Sequence, residues 1–194
     1  MSTKWESLTE EFRAAVISSF DFLIAEYDYT PLKEVDESPD IGARSIVYAS
    51  YGSCKYGMVV ELLIDFENFF ICVILCDSPK GNIEQLPTGG RKRWKQVIQL
   101  GSLIEYRTGD ENIAYPVLPH VSTLSGRENM RRRKIRIDKT YNDITAVVHE
   151  QAELLKQFGS NVLKGDKSEF PAVEEFFLQK NDMISIDGGI WYRP

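Results

Sequence analysis

The sequence predicts an α+β fold: an antiparallel β-meander of three to five strands packed against N-terminal and C-terminal helices. Two observations carry this expectation. Helical periodicity dominates both ends of the chain, while three consecutive segments between residues 43 and 76 are short, apolar and rich in β-formers. That segregation favours an antiparallel sheet over an alternating parallel one. The 194 residues fit a single domain, 1–194, whose 43% hydrophobic and 11% aromatic content suffices for a substantial core.

In chain order, Trp5, Leu8, Phe12, Val16, Phe20, Leu23 and Tyr27 recur every three or four residues and predict one amphipathic helix over 5–27. Thr3 and Glu6 have the spacing of a capping box at its start, and Pro31 disfavours helical geometry beyond "YDYT". The strands follow as "ARSIVYASY" (43–51), "YGMVVELLI" (56–64) and "NFFICVILC" (68–76), with a further short strand possible at Leu32–Val35. Both alternating sets of the third segment are apolar, which places it centrally in the sheet.

Residues 77–137 read as a loop-rich basic segment. Within it "KRWKQVIQLGSLIEY" has partial helical periodicity interrupted by Gly101, and 107–127 reads as a mobile surface loop. A helical C-terminal part spans 140–180. Its main helix has Thr140 as a candidate N-cap and Gly159 as a candidate stop. A final short helix carries Pro171 in its first turn, and a strand is expected at Met183–Ile186.

Charge is unevenly spread. The net charge is −6, but residues 1–90 balance to −9, 91–136 to +7 and 137–194 to −4. The basic island holds two clusters: Arg91, Lys92, Arg93 and Lys95 around Trp94, and the tract Arg131, Arg132, Arg133, Lys134 and Arg136. Extended as a strand, the tract puts Arg132, Lys134 and Arg136 on one face, with Ile135 and Ile137 on the other. It then reads as a solvated, charge-protected sheet edge. An acidic protein partner is the next reading. A nucleic-acid or phosphate ligand, using clusters 91–95 and 131–136, is the alternative, opposed by the acidic remainder of the chain. The acidic stretch Glu34, Asp36, Glu37 and Asp40 is a candidate surface for a basic partner.

Other chemistry has little support in the sequence. There is no GxSxG, Walker loop, dinucleotide fingerprint, HExxH or EF-hand loop, so no catalytic residue and no cofactor is assigned. Cys54, Cys72 and Cys76 form no CxxC, and His120 and His149 lie far apart, so no metal site is expected. The longest apolar run, Phe69 to Cys76, is too short to span a membrane as a helix. A soluble, cytoplasmic protein with no membrane partner is expected, its oligomeric state open.

The stretches "FDFLIAEY" (20–27), "SIVYASYG" (45–52) and "QAELLKQFGSNVLKGDKSEFPAVEEF" (151–176) add a resemblance over about half the chain. Together they resemble small bacterial proteins of unknown function, immunity-type in general appearance. The matched residues include Leu154, Leu155, Phe158, Gly159, Leu163, Gly165, Asp166 and Phe170, which are packing and turn residues. The resemblance implies a non-enzymatic interaction protein, an immunity-type inhibitor that binds a basic toxin by charge complementarity.

Overall fold

The computed structural model describes residues 4–32, 46–65, 70–82, 96–114, 125–180, 183–186 and 189–192. Five strands form one antiparallel sheet in sequential order: β1 (Thr30–Pro31), β2 (Ile46–Ser53), β3 (Met58–Asp65), β4 (Phe70–Asp77) and β5 (Val97–Gln99). Among the described residues seven helices accompany the sheet: α1 (Lys4–Ser19), α2 (Asp21–Tyr27), α3 (Leu100–Thr108), α4 (Glu111–Ala114), α5 (Gly126–Asn142), α6 (Ile144–Leu163) and α7 (Phe170–Lys180). A terminal hairpin of β6 (Met183–Ile186) and β7 (Gly189–Tyr192) follows. The α+β class and the central meander are as the sequence predicts, and β4 is flanked on both sides, by β3 and β5.

Strand alternation builds the core. Met58, Val60, Leu62 and Ile64 of β3 and Ile71, Val73 and Leu75 of β4 are buried on one face. Against that face lie Phe12 and Val16 of α1 and Val147, Val148, Ala152 and Leu155 of α6, all in one continuous apolar cluster. Each such side chain contributes about 1.5–3 kcal/mol by leaving water.

The expected helix 5–27 is two helices. Phe20 leaves helical geometry (φ −106°, ψ 10°) and is fully buried, so the chain bends there to keep its aromatic ring in the core. The second helix ends at Asp28 in left-handed geometry (φ 60°). Tyr29 then enters the core and donates its hydroxyl to the Leu163 carbonyl at the end of α6 (3.1 Å). That bond satisfies one of the carbonyls a helix end leaves without a partner.

The C-terminal part also departs from expectation. Asp143 caps α6, accepting from the Ala146 N–H (2.8 Å), whereas Thr140 belongs to α5 and is buried. Gly159 does not stop α6. It lies inside the helix, where a Cβ would fall 2.5 Å from Leu155 Cδ1, and the helix continues so that Val162 and Leu163 are buried. The turn beyond it uses Gly165 (φ 90°) against Tyr56 of the β2–β3 turn. Lys167 bridges the same region, donating to the Gly57 carbonyl (2.7 Å) and to Asp77 Oδ1 (2.5 Å).

Within the segment 77–137, the described residues are 77–82, 96–114 and 125–137. They hold β5, α3, α4 and most of α5, with Gly101 buried inside α3. The described part of "KRWKQVIQLGSLIEY", residues 96–106, divides between β5 and α3, because Ile98 pairs with Leu75 in the sheet before the helix begins.

Candidate interaction surface

The tract Arg131–Arg136 lies within α5 and is not an edge strand. Ser125 caps the helix, its Oγ accepting from the Glu128 N–H (3.3 Å). Ser125 and Glu128 have the Ser-x-x-Glu spacing of a capping box, and Arg and Lys are good helix formers. Glu128 adds pairs one turn on: Arg131 reaches it through two nitrogens (2.7 and 2.8 Å), and Arg132 Nε approaches it at 3.4 Å.

Helical rather than strand spacing redistributes the charges. Asn129, Arg132, Arg136 and Thr140 recur at three and four residues and are buried. Arg132 and Arg136, expected at a partner surface, are only 7% and 2% exposed. Arg132 instead makes a two-pronged ion pair with Glu111 of α4 (2.8 and 2.9 Å). Lys180 of α7 joins Glu111 (3.1 Å) and both oxygens of Glu105 in α3 (2.7 and 2.8 Å). One network therefore runs Arg131–Glu128–Arg132–Glu111–Lys180–Glu105 and ties four helices together.

These contacts set the proton affinities. The hydrogen bond from Arg132, aided by Lys180, holds the Glu111 carboxyl below its ordinary range against the opposing effect of burial. Arg131 and then Arg132 hold Glu128 down at about 2. Burial, with Arg133 and Arg132 nearby, lowers the Arg136 guanidinium, while the Asp65 charge acts in the opposite direction. A guanidinium remains charged through such a shift.

The opposite side of α5 faces solvent. Arg127, Met130, Arg131, Lys134 and Asp138, again at helical spacing, are all exposed, with Ile135 and Arg133 beside them. Met130 is 63% exposed. The result is an apolar side chain framed by cations. Two other helices show the reverse pattern. On α1 and α2, Ile17 (69% exposed) and Ile24 share the surface with exposed Glu10, Glu11, Asp21 and Glu26, and Arg13 pairs with Glu10 (3.6 Å).

The remaining sequence candidates fall in several places. Arg91, Lys92, Arg93 and Lys95, and Glu34, Asp36, Glu37 and Asp40, lie outside the described residues, as does His120. His149 is exposed on α6, and its neighbour Glu150 pairs with Lys139 (2.8 Å). Cys72 and Cys76 are buried in β4, as expected of small apolar side chains, and burial with Glu61 and Asp65 nearby pushes the Cys72 thiol up to about 12. On the same sheet face Ser50 donates to Glu61 Oε1 (3.3 Å), which is 4% exposed. Among the described residues no group of three or more His, Cys, Asp or Glu side chains is arranged to hold a metal ion. No helix among them is long and apolar enough to cross a membrane.

The capped helix and its inward arginines depart from the strand that the sequence predicts for this tract. The Ser125–Glu128 spacing was the available signal. The pairing with Glu111, Lys180 and Glu105 had none, because it joins residues far apart in the chain.

No family model, curated protein or solved structure matches the chain.

Proposed function

We propose that the protein acts by binding another protein, without chemistry of its own, and that the outward face of α5 is the contact surface. The observation that carries this reading is Met130, largely exposed within a frame of Arg127, Arg131 and Lys134. Methionine and arginine are enriched at protein interfaces, where an apolar anchor supplies affinity and surrounding charges select the partner. The complementary surface is acidic around an apolar hollow. The inward turn of Arg132 and Arg136 supports a protein ligand over nucleic acid, since it removes two cations from any phosphate-tracking surface. The resemblance to immunity-type proteins supplies a partner class, a protein toxin encoded beside this chain.

Co-expression with neighbouring gene products, followed by capture on the tagged chain, tests the reading. A captured protein should be lost from the Met130→Glu/Lys134→Glu variant, which leaves the core untouched. Capture that survives this change removes α5 from the interface. Salt-sensitive binding of a generic oligonucleotide, abolished by the same variant, would replace the protein reading with the nucleic-acid one.

A further inference from the structure

The two most exposed large apolar side chains of the described residues, Ile17 and Met130, lie on helix faces of opposite charge. Around Ile17 the surface presents Glu10 with its ion-pair partner Arg13, then Ala14, and α2 adds Asp21 and Ile24; around Met130 it presents Arg127, Arg131, Lys134 and Ile135. Each face has what the other lacks: apolar side chains of similar size to bury together, and charges of opposite sign around them.

From this complementarity we infer that the occupant of the α5 face, in the absence of another partner, is a second copy of the chain docking its α1–α2 face. The inference rests on reading α5 as a docking surface, and it adds regulation. Self-association covers the surface on which a partner would bind, so partner and second copy compete. Made once between two copies, this contact closes into a ring or extends into a filament; made reciprocally between the same two copies, it gives a two-fold dimer. Opposite charge across the contact makes assembly sensitive to salt, and most strongly so where the charges are solvated.

Sedimentation velocity of the full chain tests this at about 20 mM and about 500 mM NaCl, a range over which the screening length falls several-fold. The expected result at low salt is a mass that rises with concentration above that of one chain and falls back at high salt. Ile17→Lys damages only the acidic face and Met130→Glu only the basic one. Both positions are exposed, and unchanged thermal melting confirms the fold. Each variant should be monomeric alone, and association should return on mixing the two, since the mixture contains one intact copy of each face. A wild-type chain that stays monomeric at low salt overturns the inference, as do variants that still associate singly or a mixture that stays monomeric. Capture of a partner by Ile17→Lys separates the two proposals, because that variant retains the whole α5 face.

Discussion

Arg132 and Glu111 lie 21 positions apart and meet through two parallel hydrogen bonds of 2.8 and 2.9 Å, fixing α5 against α4. The guanidinium is almost fully buried, whereas Glu111 keeps a quarter of its side chain in water and a second partner in Lys180. Removing the arginine leaves Glu111 less compensated and opens a gap. Arg132→Ala should therefore destabilise by about 2–3 kcal/mol, less than a fully buried pair would give because of that residual solvent. Replacing both, in Arg132→Met/Glu111→Gln, should recover part of the loss. Urea denaturation of Arg132→Met, Glu111→Gln and the double variant measures the coupling, and strictly additive losses would show that the pair contributes nothing of its own.

The same network predicts acid sensitivity. Glu111 and Glu128 both have folded-state values held below the ordinary carboxylate, so below about pH 4.5 the unfolded chain takes up protons first. Their contribution is present above that pH and is lost as pH falls toward about 2, the value for Glu128. The Glu111→Gln variant should be less stable near neutrality, yet lose less between about pH 5 and pH 3 than the parent does. Equal slopes for the two proteins in denaturant midpoints across that range would remove Glu111 from the acid response.

Backbone packing yields a contrast among glycines. Gly81 (φ 60°) presses on the Ser53–Cys54 backbone, and a Cβ there would overlap main-chain atoms that cannot swing aside. Gly109 (φ 70°) has the same handedness but open space around it. Gly81→Ala should cost about 3 kcal/mol or more, combining left-handed strain with a clash, against about 1 kcal/mol for Gly109→Ala. Thermal melting of the two variants should therefore separate them clearly, and equal losses would mean that strain alone governs both positions.

Thiol reactivity should be divided. Cys54 is exposed at the β2–β3 turn, whereas Cys72 and Cys76 are buried and the Cys72 thiol is pushed up to about 12. A thiol reagent at neutral pH should label one cysteine quickly in the native protein and all three after unfolding. Rapid native labelling of Cys72 would show that β4 opens far more readily than its burial implies.

The core was legible in the sequence because apolar runs and helical periodicity report burial directly. Met58, Val60, Leu62 and Ile64 line the core face of β3, whose nearly continuous apolar run matches its burial on both faces, and Val147, Val148 and Leu155 mark the buried face of α6. Helix ends were less legible. Thr140 and Asp143 are both capping residues before the same apolar run, and only packing shows that Thr140 is buried within the preceding helix. The tract "RRRKIRI" was the hardest stretch, because two isoleucines two apart satisfy strand alternation, whereas on a helix they fall on different sides. What decides it is partly local, the Ser125 cap, and partly remote, since Arg132 is drawn inward by a carboxylate on another helix. The outward half of the tract, Arg131, Arg133 and Lys134, remains on the surface as the charge pattern implied.

The ion-pair network also bears on the order of folding events. Its links join residues 21, 69 and 75 positions apart, whereas the β2–β3–β4 meander closes through short connections. Non-local contacts bear the larger loop-closure entropy, so the meander and α6 are expected to organise first and the clasp of α3, α4, α5 and α7 to close after the main barrier. An interaction absent from the transition state acts on the rate of unfolding alone. Arg132→Ala should accordingly steepen escape from the native state while leaving the folding arm of the chevron where it was. The buried arginine would then act as a brake on unfolding, governing how long the native chain persists once formed.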